Sequence, residues 1–284
     1  MENLIVPIDF SEDSLNGLEL ALIFTKKQKT NIQMVYVQKK SSDYNAPGFH
    51  KEEKAYADRK FKEIVKKYEP KLENNSKLSY IIKEGRIYRE VVTQVESYNE
   101  ALVVASTHGA SGFEELFIGS NAYKIITATN KPVITIRRGN PPADIKKIVL
   151  PIDVTAETRQ KVPFTASLAK LFGAEIHVIT VTSSKGKRIN NRLNAYASQV
   201  KSYLTQTKVP ARLKSLYGEN IVDLVVVYAN SIDANLISIM KEQPKSLTFI
   251  GNYTQQILSR ATTPVLTISA METHIATGFS TFGG

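Results

Sequence analysis

The stretch from Ser106 to Ser120 could hold a phosphate. It reads Ser106-Thr107-His108-Gly109-Ala110-Ser111-Gly112, then Phe113 to Ile118, then Gly119-Ser120. It follows an apolar run, 101–105, of the length of a buried strand. Gly109 and Gly112 let main-chain N–H groups come close to an anion. Gly119-Ser120 opens a helical segment, about 121–128, where unpaired N–H groups and the helix dipole favour phosphate. A second candidate is Asp9, one residue past the first apolar run, at the rim where open parallel sheets bind ligands. Asp153 holds the same place in a later copy. Taken alone, each aspartate reads more simply as a turn or helix-capping residue than as a ligand contact.

Other chemistries fail on inventory. There are no cysteines, so thiolate metal sites, disulfides and a Cys nucleophile are excluded. The four histidines (His50, His108, His177, His274) are dispersed, without metal-ligand spacing. His108 could act as acid or base, but no nucleophile lies near it in sequence, and a scaffold role is the simpler reading. Ser120 and Asn121 stand where a Walker lysine and hydroxyl would be needed, which argues against a fast NTPase. No GxSxG elbow is present. The expectation is a binding protein and not an enzyme, with any hydrolysis slow and incidental.

The elements that must position these residues come twice. Residues 4–11 (Leu-Ile-Val-Pro-Ile-Asp-Phe-Ser) are echoed by 148–155 (Ile-Val-Leu-Pro-Ile-Asp-Val-Thr), and Lys131-Pro-Val-Ile-Thr-Ile136 by Thr263-Pro-Val-Leu-Thr-Ile268. Self-similarity of this kind governs the whole fold. In the first copy, strands are expected at 3–8, 31–37, 78–82, 101–105 and 133–136, with helices between them. Ser11 caps the first helix, and a charged helix spans about 51–73. The second copy repeats the order with strands at 148–152, 176–181, 212–216, 236–239, 247–250 and 265–268. Gly173 stops its first helix, and Pro163 imposes a late start or a kink there. Alternating strands and helices define an α/β fold with a parallel sheet flanked by helices. Boundaries are expected at 1–139, a linker at 140–145 around the consecutive prolines Pro141-Pro142, a second unit at 146–270, and a tail at 271–284.

With 284 residues, two domains are the natural expectation. The net charge of +10 invites a nucleic-acid reading. The lysines at 60, 62, 66, 67 and 71, however, interleave with Glu63, Glu69 and Glu73, as on a solvated helix face, and nucleic acid is not expected as a partner. No apolar run is long enough to span a bilayer, and the opening Met-Glu-Asn carries no basic-then-apolar leader. A cytoplasmic protein without membrane contact is expected.

These residues resemble the universal stress protein family in its tandem two-domain form. The frame Ser106-x2-Gly109-x9-Gly119-Ser120, the opening Pro7-Ile-Asp9-Phe-Ser11 and the wording Thr107-His-Gly109 carry the resemblance, which covers about residues 1–138 and 146–269. It implies two tandem Rossmann-like units of the adenine nucleotide alpha hydrolase-like kind, each a five-stranded parallel sheet of order 3-2-1-4-5. It also implies an intramolecular pseudo-dimer through the last strands, a possible further homodimer, and in many members ATP or AMP, with Mg2+ as a possible companion. Carried over, Pro7, Ile8 and Asp9 would face adenine and ribose, and Val37 would line the base pocket. Ser106, Gly109, Gly119, Ser120 and Asn121 would hold phosphates. Ser106 replaces the family's first glycine, and its side chain either crowds the turn or adds a hydroxyl donor. In the second copy Met240-Lys-Glu-Gln243 replaces Ser106-Thr-His-Gly109, and Gly251-Asn252 replaces Gly119-Ser120, so phosphate cradling there should be lost. Asp153 would serve structure, and Lys241 would be a surface lysine. The resemblance points to a stress-response protein holding nucleotide in its first unit, with a non-nucleotide interaction protein acting through dimer surfaces as the alternative.

Overall fold

A computed structural model describes residues 1–38, 47–107, 119–137, 139, 141–155, 157–241 and 253–270. The first five strands are β1 (Asn3–Pro7), β2 (Asn31–Gln38), β3 (Leu78–Glu84), β4 (Ala101–Ser106) and β5 (Val133–Ile136). Between them run α1 (Glu12–Thr25), α2 (Pro47–Tyr68), α3 (Ile87–Glu96) and α4 (Ser120–Ala128). The second set is β6 (Lys147–Ile152), β7 (Glu175–Thr182), β8 (Ala211–Tyr217), β9 (Leu236–Met240) and β10 (Val265–Ile268). Its helices are α5 (Val162–Phe172), α6 (Lys187–Gln206), α7 (Ile221–Ser231) and α8 (Tyr253–Arg260). The expected strand at 247–250 and the tail from 271 lie outside the described residues.

Among the described residues the ten strands form one sheet, β3-β2-β1-β4-β5-β10-β9-β6-β7-β8. Each half has the order 3-2-1-4-5 and is parallel within itself. β5 and β10 meet antiparallel, with Val265 opposite Thr135 and Thr267 opposite Val133. Both strands are fully buried and apolar but for Thr135 and Thr267, as expected of strands covered on both faces. One helix layer holds α1, α2, α5 and α6 against Leu4, Val6, Leu150 and Val178, and the other holds α3, α4, α7 and α8 against Ile5, Val103, Val149 and Ile237.

Local signals explain the helix ends. Ser11 accepts the Ser14 N–H at 3.2 Å and so caps α1, with Glu12 and Asp13 in its first turn. Gly173 ends α5 in the left-handed region (φ 64), where a side chain would be strained. Pro163 marks a late start rather than a kink. It occupies the first turn of α5, which begins only at Val162, nine residues after Asp153, whereas α1 begins three residues after Asp9. The charged helix is also displaced from its expected place: α2 runs from 47 to 68, and a 3-10 turn occupies Glu69–Lys71, with Pro70 ending the regular helix.

The halves also meet outside the sheet. Phe24 at the end of α1 and Phe172 at the end of α5 pack edge to face at 5.0 Å, both buried. Lys27 lies 5.7 Å over the Phe172 ring and bonds Asp144 at 3.0 Å, while Lys146 bonds the same carboxylate at 2.8 Å. Burial works against ionising Asp144, but Lys146, Lys27 and the Ile145 N–H outweigh it and hold the carboxyl below its ordinary range. Truncating Phe24→Ala removes a buried ring from this junction and should lower unfolding free energy by about 3–5 kcal/mol; urea titration of the variant against the parent checks this.

Candidate functional site

Within the first half, the chain leaves β1 for α1 on one face and β4 for α4 on the other, although β1 and β4 are neighbours. Their carboxyl ends therefore part at a topological switch point, the place where doubly wound sheets accept ligands. Pro7, Ile8 and Asp9 stand at the end of β1, Val37 near the end of β2, Ser106 at the end of β4, and Gly119, Ser120 and Asn121 at the head of α4. Ile8 is buried on the α1–α2 side and Val37 on the α3–α4 side. By strand alternation Ser106 faces the α1 layer and Pro7 the α4 layer. Gly109, Gly112 and His108 lie outside the described residues.

Gly119 is fixed by close approach. Its N–H donates to Thr107 O at 2.7 Å, and a Cβ would stand 2.6 Å from that oxygen, inside any tolerable contact. Only glycine lets the head of α4 seat against the end of β4. Ser120 and Asn121 are exposed there, in the first helical turn, where main-chain N–H groups lack intrahelical partners.

Asp9 is exposed, and its Oδ1 accepts the Ser11 N–H (3.0 Å) and the Ser11 hydroxyl, closing an Asx-type turn. The next residue, Phe10, has φ 66, a left-handed conformation that a bulky side chain adopts only under constraint. Its ring stacks on Tyr36 at 5.0 Å and meets Phe61 edge-on at 5.1 Å. The Tyr36 hydroxyl donates to Glu53 Oε1 (2.7 Å), and Gln38 Nε2 donates to Glu53 Oε2 (2.9 Å). Burial, then the Glu53 carboxylate, push the Tyr36 phenol well above its ordinary pKa, so it stays a donor throughout the physiological range. Sequence reasoning missed Phe10, Tyr36, Gln38 and Glu53. The alternation of β2 could have flagged Tyr36, but nothing in sequence announces the positive φ of Phe10.

The second half keeps the turn and fills the ground beside it. Asp153 Oδ1 accepts the Thr155 N–H (2.7 Å) and hydroxyl (2.6 Å), and the Asp153 N–H donates to Thr158 Oγ1 (3.2 Å), as the Asp9 N–H does to Ser14 Oγ (3.4 Å). Where α1 has Gly17, lying against the β4 backbone, this half has Lys161, 2% exposed. Its ammonium donates to Thr158 O (2.8 Å) and Oγ1 (3.1 Å). Burial drives its pKa down to about 8, partly opposed by Asp153. Lys241, expected at the surface, is instead half-buried: its Nζ donates to Thr127 O (3.1 Å) and Thr129 O (3.0 Å), carbonyls at the carboxyl end of α4 in the other half. The helix's unpaired carbonyls and its negative dipole end attract a cation there. His177 is also structural, bonding the Tyr228 hydroxyl (2.8 Å) and Glu175 (3.2 Å) near the start of β7, away from the rim. Among the described residues no cluster of three His, Cys, Asp or Glu side chains could hold a metal.

Fold and rim together define a doubly wound α/β protein of two related halves. The universal stress protein family model matches residues 1–137. Two universal stress proteins of Methanocaldococcus jannaschii are 22% and 24% identical over 49% and 48% of this chain, spanning 96% and 82% of their own lengths. The crystal structure of a universal stress protein from Archaeoglobus fulgidus aligns over 95% of this chain and 98% of its own, with TM-score 0.76 and 17% identity, a likeness of fold. Residues 1–137 thus match the universal stress protein family, and the chain as a whole shares the fold of the Archaeoglobus fulgidus protein.

Two measurements test the second half. Below about pH 8 Lys161 is protonated whether the chain is folded or not. Between about 8 and its ordinary 10.5, the unfolded chain holds a proton that the folded chain has released, so stability should rise with pH across that window. Lys161→Met should abolish that rise in urea titrations compared at pH 7.5 and 9.5. Lys241→Met should cost about 1–3 kcal/mol through the uncapped α4 carbonyls, and Lys241→Arg distinctly less, in the same titrations.

Proposed function

We propose that the first half, residues 1–139, binds ATP or AMP at the rim between β1 and β4, and that the second half, residues 146–270, is a degenerate partner. The observation that carries the reading is Gly119. Its bare Cα seats the amino end of α4 against the end of β4, so that the exposed first turn at Ser120 and Asn121 offers N–H groups to phosphate beside Asp9. The match of residues 1–137 to the universal stress protein family supports an adenine nucleotide. Asp9 would take the ribose side, with Pro7, Ile8 and Val37 around the base. Ser106 would stand beside the phosphates with Gly109. Any magnesium would arrive with the phosphates, since the described residues supply no carboxylate cluster for it.

Binding and not turnover is the proposed activity, because Ser120 and Asn121 occupy the places a catalytic lysine and its hydroxyl neighbour would need. The antiparallel contact of β5 with β10 supports an internal pseudo-dimer with one working rim. No helix among the described residues is long and apolar enough to cross a membrane, which accords with a proposed cytoplasmic setting. A second reading, an interaction protein without nucleotide, is favoured by Ser106, whose side chain stands in the place of the family's first loop glycine.

Ser120→Asp separates the readings. A carboxylate in the first turn of α4 favours the unliganded helix and repels phosphate. Thermal melts of the parent should rise with millimolar ATP or AMP, following RT ln(1 + [L]/Kd). The variant should melt at or above the unliganded parent and respond to neither nucleotide. A parent indifferent to both would favour the interaction protein.

A further inference from the structure

We propose that the second half carries a binding site for a small planar aromatic molecule of neutral charge, in the cleft between α6 and strands β7 and β8. The inference does not depend on nucleotide binding. It comes from comparing the two halves position by position. Strand pairing sets Met34 beside Tyr80 and Tyr36 beside Ile82 in β2–β3, and sets Val178 beside Leu213 and Thr180 beside Ser215 in β7–β8. The covering helices match as well: α2 buries Ala57, Phe61, Ile64 and Tyr68, and α6 buries Leu193, Ala197, Val200 and Leu204 at the same spacing.

In the first half this space is filled with rings. Phe61 stacks on Tyr80 at 4.6 Å, and Phe10 bridges Phe61 and Tyr36 at 5.1 and 5.0 Å. In the second half every one of these positions shrinks: Phe61 corresponds to Ala197, Tyr80 to Leu213, Tyr36 to Thr180 and Phe10 to Val154. The backbone frame is kept while the rings are gone, and a half-open cavity of about 190 Å³ lies there. Val178, Ala197 and Leu213 supply its apolar surface, and Leu213 remains 41% exposed at the mouth. Relaxation of the surrounding chain has not closed the space, although an exposed apolar side chain beside an open cleft gains by being covered.

Size and polarity narrow the occupant. A buried apolar cavity of about 150 Å³ accommodates benzene, so this cleft suits one substituted ring or two fused ones. Its polar lining is neutral: Asn194 and Ser198 on α6, with Thr180 donating to Ser215 Oγ at 3.0 Å. Lys214 also borders the cleft, but strand alternation assigns its side chain to the opposite face of β8 from Leu213 and Ser215. The fitting class is therefore a phenol, an aromatic amide or a similar heterocycle, with its ring between Ala197 and Leu213 and its hydrogen-bonding edge toward the hydroxyls and the amide.

Saturation-transfer NMR on the full chain, with phenol and benzamide as probes and excess AMP present, tests this. Transfer to at least one probe is expected, with Kd on the order of 1 mM for so few atoms. Ala197→Phe, which restores the ring that the first half has at Phe61, should weaken binding at least ~10-fold, and Leu213→Tyr should do the same from the exposed mouth. If Ala197→Phe fails to fold, the Leu213→Tyr result decides. No transfer with the parent chain, transfer abolished by AMP, or equal affinity in a folded Leu213→Tyr variant would each overturn the proposal.

Discussion

The contact on which the rest depends is the antiparallel meeting of β5 and β10. Each half on its own would end in a short strand of four buried residues, three of them apolar, with an unpaired edge, an arrangement that soluble sheets avoid because open edges recruit other chains. Pairing Val265 with Thr135 and Thr267 with Val133 closes both edges at once and fuses two five-stranded sheets into one. Because the halves are parallel within themselves and antiparallel to each other, their carboxyl rims point in opposite directions. The start of β5 lies beside the end of β10, and the carboxyl end of α4 beside the end of β9. The chain uses that neighbourhood. Lys241 and Ser269, just past β9 and β10, donate to carbonyls at the end of α4, and Arg137, just past β5, donates to Ser259 O near the end of α8. Each half thus satisfies helix-end carbonyls of the other, which a separated half would have to leave to water.

This exchange gives a physical account of why the second rim diverged. Lys241 corresponds to Thr107, whose carbonyl accepts the Gly119 N–H in the first half. In the second half that position instead sends a cation to the other unit. Lys161, in the place of Gly17, fills with a buried ammonium the ground where α1 lies close to β4, and the late start of α5 at Val162 accompanies it. The Asp153 turn survives because it is a local device: Asp153, Thr155 and Thr158 bond one another whatever lies above them. An aspartate retained after the first strand of each half is therefore weak evidence of a ligand. The glycine-dependent approach at Gly119 is stronger, since it solves a problem of space that the turn alone does not pose.

Sequence carried the architecture well, for a clear reason. Continuous apolar runs bounded by Ser11, Gly173 and the Lys-Pro and Thr-Pro pairs leave few alternatives to buried parallel strands, and duplication supplied a second instance of each. Strand positions, the caps of α1 and α5 and the place of Gly119 at the head of α4 were all legible, while the order of the strands followed from the family resemblance. What was not legible depends on contacts between residues far apart in the chain. The φ of Phe10 is imposed by rings at Tyr36 and Phe61, and the reach of Lys241 by the antiparallel register of two strands 130 residues apart. A lysine reads as surface in a one-dimensional pattern because its charge is the only property on display. Its long apolar stem, which lets the head find a helix terminus in another unit, becomes relevant only once the sheet is assembled.

The two halves share a backbone frame and differ in what fills it, and the differences are not spread evenly. Around the first rim the frame is stiffened: rings at Phe10, Tyr36, Phe61 and Tyr80 pack on one another, and the Tyr36 hydroxyl is tied to Glu53. That packing holds the turn at Asp9 against β2 and α2. In the second half the corresponding rings are missing and small side chains take their place, while rigidity is supplied lower down by Lys161, Thr158 and the Thr165–Ser238 hydroxyl pair at 2.7 Å. Duplication followed by such a division lets one copy keep a preorganised rim while the other contributes a paired edge, helix caps and an open flank. It also explains how sequence could drift so far in the second unit without loss of fold, since the antiparallel strand pair and the apolar runs constrain the sheet and leave its rim and flank free to change.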